Sequence, residues 1–208
     1  MEPYVITIGR EFGSGGRAIG FLLADKLGIR CYDKELLGIA AKQSGLCEDI
    51  FEMHDEKPTN SFLYSLVMDT YSAGYVTPGI VDVPISQKVF LAQFEAIRDL
   101  SKKEPCVIVG RCADYALEGT KRLASVFISS DMDIKIQSIM ERFQLNASKA
   151  KDLITKTDKK RASYYNYYTN KKWGDTSSYD LCINSGRLGV EGSALLIIDY
   201  LKRRGFLE

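Results

Sequence analysis

Histidine is almost missing from this chain: there is one, His54, in the charged run "FEMHDEKPTN", which reads as a solvated face. The five cysteines, Cys31, Cys47, Cys106, Cys112 and Cys182, include no C-x-x-C pair. Zinc sites and disulfide frameworks need such residues at close spacing, so both are argued against, and no cluster nominates a protein-held metal. Cys106 and Cys182 fall inside apolar runs and are expected to be reduced core residues. No serine or cysteine has the base that nucleophilic catalysis requires. Net charge is also missing: Lys plus Arg (28) against Asp plus Glu (27) leaves a formal +1. The whole chain therefore gives no argument for nucleic acid or for an anionic membrane surface, and any basic site must be local. No apolar stretch approaches the roughly 18 to 20 residues that span a bilayer, and no charged-then-apolar leader opens the sequence; a cytoplasmic location is the expectation.

What is present is enough material for one sizeable core, 208 residues at 45% hydrophobic content, with an inserted subdomain. Strand-like runs alternate with helical patterns. "YVITIG" (4–9), "IRCYD", "PCVIVG" (105–110), "ASVFIS" (124–129) and "YDLCINS" (179–185) are the runs. "GRAIGFLLADKLG" and "KELLGIAAKQSG" carry apolar residues at helical spacing and stop at Gly28 and Gly45, and "GVEGSALLIIDYLKRR" reads as a closing helix. Five runs separated by helices predict a parallel sheet covered on both faces. Two stretches break the alternation. Residues 46–104 are long for a connection and predict a helical insertion that ends in "SQKVFLAQFEAIRDLSKK". Residues 146–178 are dense in Lys, Arg and Tyr and read as a helix pair or flap.

The loop "GREFGSGGRAIG" (9–20) leads from the first strand into a helix. Such a turn offers backbone amides and the positive end of a helix dipole to an anion, and Gly13, Gly15 and Gly16 would let phosphate approach, with Ser14 as an added donor. The complete Walker pattern, G-x-x-x-x-G-K-[ST], is absent. Gly16 takes the lysine position, Arg17 follows, and Ala18 stands where a magnesium-binding hydroxyl belongs. Arg17 or Arg10 could supply the charge, since guanidinium holds phosphate in a bidentate fork. A tight strand-to-helix turn without ligand is the plainer alternative. Gly13-x-Gly15-x-x-Ala18 also fits a dinucleotide fingerprint, with Asp33 at the end of the second strand, which would make an NAD(P)-binding oxidoreductase. Three residues between the strand-end Gly9 and Gly13 argue against that reading.

Four segments, "ITIGREFGSGGRAIGFLLADKLGIRCYDKELL", "VIVGRCADYAL", "VFISS" and "DKKRASYYNYYTNKKWGDTSSYDLCINSGRLG", together resemble the cytidylate-kinase-like family, a branch of the P-loop nucleoside monophosphate kinases. In that branch a lysine-free loop is itself a family feature. The resemblance implies an α/β, three-layer P-loop kinase fold over 1–208, with a five-stranded parallel sheet, an acceptor-binding insertion (46–104) and a lid (146–178). It implies that residues 13–17 hold donor phosphates, with Arg10 as a second candidate. Asp33 resembles the aspartate that opens the acceptor site, and its alternative is a helix cap. Arg111 matches the arginine of a "GRD" motif that binds the acceptor monophosphate, but here "GRCAD" moves the nearest acid to Asp114, and a surface salt bridge is the alternative for Arg111. In the lid, Arg161 would neutralise charge in the transition state, Asp158 would position Arg161 or touch the acceptor, and Arg142 is a further candidate. Tyr164, Tyr165, Tyr167 and Tyr168 read as packing between lid and core.

The function implied is transfer of a phosphoryl group from ATP or another nucleoside triphosphate, with Mg2+, to a nucleoside monophosphate such as CMP or dCMP. The partners would be small-molecule nucleotides, with neither nucleic acid nor membrane. A non-catalytic nucleotide-binding regulatory protein and a kinase for a non-nucleotide acceptor are the alternatives.

Overall fold

The computed structural model describes residues 3–56 and 84–207. Five strands, β1 (Val5–Arg10), β2 (Arg30–Tyr32), β3 (Cys106–Val109), β4 (Leu123–Ser129) and β5 (Leu181–Asn184), form one sheet in the order β2-β3-β1-β4-β5. Every pairing is parallel, and β1 lies at the centre with Ile8 level with Val109 on one side and Val126 on the other. Eight α-helices are described, α1 (Gly16–Leu27), α2 (Glu35–Ser44), α3 (Glu48–His54), α4 (Ile85–Lys103), α5 (Ala113–Ala116), α6 (Met132–Phe143), α7 (Ala147–Thr169) and α8 (Ser185–Arg203), with a short 3-10 turn at Thr176–Ser178.

The strand sequences explain the layers. Side chains alternate across a strand, and in "VITI" and "CVIV" neither face is polar enough to meet water. Val5, Cys106 and Ile108 therefore pack beneath α2 and α4, while Ile6, Ile8, Val107 and Val109 pack beneath α1 and α8. Ile6, Ile8, Ile108 and Ile128 are fully buried, each worth about 2 kcal/mol of transfer free energy. Cys106 is buried as expected, but Cys182 is exposed. The correction has a simple cause: β5 is an edge strand, and Ile183 alone of its residues is fully turned into the α8 layer. Burial pushes the thiols of Cys31 and Cys106 up to about 12, which leaves them protonated at neutral pH.

The two irregular stretches resolve differently. Within 46–104 the structure contains α3 and α4, and α4 starts directly after Pro84; Gly74, Pro78 and Gly79, expected to mark an irregular connection, lie outside the described residues. The stretch from 146 is one 23-residue helix rather than a pair. Asn146 caps it by accepting from the amide of Lys149. In α8, Gly189 adopts φ 70°, which interrupts the helix where the regular pattern was expected to begin.

Candidate functional site

The loop after β1 is shaped by its backbone. Gly13 and Gly15 have φ of 86° and 76°, values that L side chains rarely adopt, and Gly15 sits as the left-handed residue preceding α1. Gly15 has no side chain to cap α1, so among the described residues the first-turn amides, which have no intrahelical partners, are left open at the carboxyl edge of the sheet. Ser14 is buried, and its hydroxyl donates to the Glu11 carbonyl at 2.9 Å. Ser185 fastens the loop from α8, its hydroxyl lying 2.6 Å from the Ser14 carbonyl.

The missing lysine has a steric explanation. A Cβ on Gly16 would lie 2.5 Å from Arg10 Cβ and 3.3 Å from Ile128 Cβ. Both neighbours are stem atoms held by the sheet, so neither can swing away. The arginine that ends β1 and a side chain at position 16 exclude each other.

Four guanidiniums from four separate elements meet three carboxylates at this edge. Asp33, after β2, accepts from Arg17 Nε at 2.6 Å and from Arg111 Nη1 at 3.3 Å. Asp55, at the end of α3, takes Arg111 in a fork, Nε at 3.1 Å and Nη2 at 3.0 Å. Glu56 accepts from Arg10 Nη1 at 2.8 Å with one oxygen and from Arg161 Nε at 3.2 Å with the other. Arg161 Nη1 also donates to the Arg10 carbonyl at 3.2 Å. Arg111 is buried, its side chain 2% exposed, and lies in a left-handed turn in which Gly110, Arg111 and Cys112 all have positive φ. Two such non-glycine residues in succession cost on the order of 2 kcal/mol, a kind of strain that clusters at functional sites.

Electrostatics follow from burial and charge together. Burial disfavours the ionised form of Glu56, but Arg10, Arg161 and Arg111 outweigh it and hold its carboxyl well below the usual range. Asp33 is also lowered, Arg17 and Arg111 overcoming burial. At Asp55 burial prevails and raises the carboxyl despite Arg111. Arg161 is lowered by burial and by the neighbouring Arg10.

A second ion cluster lies under α7. Lys135, buried on α6, donates to Glu11 Oε2 at 2.9 Å and to Asp158 Oδ2 at 3.4 Å. Asp158 Oδ1 accepts from the amide of Phe12 at 2.6 Å, which ties α7 directly to the glycine loop. On α7, Ile154, Asp158, Arg161, Tyr165 and Tyr168 recur at alternating spacings of four and three, which is one helical face. That face carries packing at its two ends and charge in its middle. Tyr168 stacks on Phe90 with ring centroids 3.9 Å apart, and Tyr165 Oη donates to Asp114 Oδ2 at 2.6 Å. The tyrosines Tyr164, Tyr165 and Tyr168 are buried in this aromatic cluster.

The structure thus brings Arg10, the glycine loop, Arg17, Asp33, Arg111, Asp158 and Arg161 to one edge. Asp33 is not a side-chain cap; α2 has none. Arg111 forms buried rather than surface ion pairs. Asp114 adjoins the cluster, lining a small recess with Arg10, Glu56, Arg111 and Arg161, and burial raises its carboxyl. Ala18 is exposed on the first turn of α1. Arg142 is apart, exposed and lying over the Phe143 ring at 5.1 Å. Sequence reasoning missed Glu11, Lys135, Asp55 and Glu56. Lys135 had a signal, because it stands four residues before the buried Ile139 on an amphipathic helix. Asp55 and Glu56 had none: they lie inside the run read as solvated.

The family model of the cytidylate kinase-like family matches residues 5–187, and the chain belongs to that family. No curated protein matches it. Among solved structures it is similar to an uncharacterised protein from Eubacterium ventriosum, 31% identical over 96% of this chain and 99% of that one, with a TM-score of 0.71. It also resembles shikimate kinase from Bacteroides thetaiotaomicron, 15% identical over 96% of this chain and 98% of that one, TM-score 0.52. Shikimate kinase from Acinetobacter baumannii in complex with shikimate is 13% identical over 98% and 94%, TM-score 0.50. The fold is the three-layer P-loop kinase fold. The dinucleotide reading is overturned by topology, because β3 lies between β1 and β2 and removes Asp33 by one strand from the loop it was to serve. Family and fold support phosphoryl transfer in general.

Proposed function

We propose that this protein transfers the terminal phosphoryl group of a nucleoside triphosphate, ATP by preference, to a nucleoside monophosphate such as CMP or dCMP. The observation that carries the reading is the convergence of Arg10, Arg17, Arg111 and Arg161 on the open amino end of α1. Phosphoryl transfer needs positioning and neutralisation of charge on oxygens rather than a covalent intermediate, and this edge offers both.

In this reading the amides of 13–17 and Arg10 hold the donor phosphates, and α7 is the lid that carries Arg161 over the transferred group. Asp158 is a positioning residue, since its carboxylate is already committed to the Phe12 amide and Lys135. Arg111, with Asp33 and Asp114 beside it, faces the acceptor, and the insertion 46–104 would complete that side. The phosphate cradle fits a nucleotide. The donor set fits a protein-held Mg2+ poorly: among the described residues no group of three His, Cys, Asp or Glu could hold a metal, and Ala18 has no hydroxyl. Mg2+ would be held chiefly by the nucleotide's own phosphates.

Gly16 and Ala18, where a Walker loop has lysine and hydroxyl, favour a second reading, a nucleotide-binding protein without turnover. ADP release with ATP, Mg2+ and a panel of nucleoside monophosphates separates the two. Release accelerated over a Gly16→Asp variant, and greatest with one monophosphate, is the expected result. Binding of ATP without release for any acceptor would select the second reading.

A further inference from the structure

Glu56 reaches the arginines from far along the chain, and its surroundings resemble those of a bound ligand more than those of an ordinary surface pair. Each carboxylate oxygen is held by a different guanidinium, one from β1 and one from α7. The side chains of Arg10 and Arg161 are 11% and 15% exposed, so two like charges are buried side by side, and Glu56 is the carboxylate bridging them. Buried charge without a partner is strongly unfavourable. Glu56 itself has φ 50°, a left-handed value for a non-glycine residue, which the ion pairs must hold in place. The Arg10 guanidinium and the Glu56 carboxylate meet at Gly110, the residue after β3, where an added Cβ would lie 2.8 Å from Glu56 Oε1.

We propose that Glu56 fills an oxyanion subsite between Arg10 and Arg161 that takes a phosphoryl group, so that nucleotide phosphate binds by exchange with the Glu56 carboxylate. This rests on the kinase reading for the biological ligand, a polyphosphate terminus or phosphate monoester. A phosphoryl group brings about two negative charges and three acceptor oxygens, against one charge and two oxygens for a carboxylate. Two guanidiniums therefore favour the exchange when phosphate is present, and Glu56 keeps them neutralised when it is not. Acid does not release Glu56 near neutrality, because the three arginines hold its carboxyl in the ionised form. Asp55, the adjacent residue, forks Arg111 on the acceptor side, so departure of Glu56 also loosens the carboxylate that occupies Arg111.

Calorimetric titration of inorganic pyrophosphate into the full chain tests this without any need for turnover. Glu56→Gln keeps the shape and removes the competing charge; it is expected to bind pyrophosphate about tenfold tighter or more, and adding Arg161→Ala is expected to abolish that gain. Equal or weaker binding by a natively folded Glu56→Gln, or a gain that survives Arg161→Ala, overturns the proposal. If Glu56→Gln does not fold, amide exchange of the wild-type chain decides: saturating pyrophosphate should speed exchange over residues 48–56, and unchanged or slower exchange overturns the exchange mechanism. The outcomes stand apart from the kinase reading. Tighter pyrophosphate binding with no ADP release sustains the subsite and removes the kinase; ADP release by wild type with no gain in Glu56→Gln does the opposite.

Discussion

The glycine loop and the ion cluster above it serve one edge of the sheet but are built in different ways. The loop is a backbone object: two glycines at positive φ, a strand ending at Arg10 and a helix beginning at Gly16 set its shape. The cluster is a side-chain object, assembled from β1, α1, α3, α7 and the turns after β2 and β3. A backbone object fails through sterics, and a side-chain object fails through uncompensated charge. Substitutions in the two regions should therefore be told apart by what they change.

The largest effect is expected on the side-chain half. In the proposed kinase reading Arg161→Ala removes the guanidinium that α7 would carry over the transferred group, and kcat should fall about 10³-fold. A loss below tenfold in ADP release would remove Arg161 from the catalytic role. Lys135→Met leaves Glu11 and Asp158 facing each other without their buried cation. It should cost about 3 kcal/mol, read as a Tm lower by roughly 5–10 °C, with partial rescue by Lys135→Arg.

The backbone half answers to a smaller change. Gly16→Ala should cost about 2 kcal/mol, because the new methyl collides with the Arg10 stem and Ile128, and Gly16→Lys should cost at least as much rather than repair the Walker pattern. Denaturant midpoints measure both, and restored nucleotide affinity in Gly16→Lys would contradict the steric account.

Acid sharpens the contrast, since it acts on carboxylates and leaves glycines untouched. Arg17 and Arg111 keep the Asp33 carboxyl lower in the folded chain than in the unfolded one. Its stabilisation is thus present above about pH 4 and lost as pH falls through the folded value. Asp55, Asp114 and Asp158, raised by burial, run the opposite way: their contribution is present in acid and lost as pH rises through their folded values. Asp33→Asn should flatten the acid limb of the stability curve, seen in unfolding midpoints collected from pH 6 downward. An unchanged limb would mean that Asp33 is not held ionised by its arginines.

These differences also mark what could be read in advance. Local rules suffice for β1, the loop and α1, because a buried β-branched run, glycines and an apolar stripe each act within a few residues. Arg161 was singled out by the density of charge in 146–178 and by the family resemblance; the helical face it shares with Ile154 and Tyr165 is seen in the structure. Lys135 was half legible, a charge at a position where the stripe of α6 faces inward. Cys182 misled because an apolar run does not say which strand will be the edge.

By itself the sequence determined the parallel sheet, the phosphate-type loop and the absence of a lysine there, since these follow from short-range backbone preference and hydrophobic period. Tertiary structure alone decided why the lysine is absent and what the arginines hold. Position 16 is closed by an Arg10 stem that only the β1–α1 turn brings against it, and Glu56 meets Arg10 across 46 positions and Arg161 across 105. Charge pairing over such separations leaves no period in the sequence. It depends on burial, and burial exists only once the layers have closed.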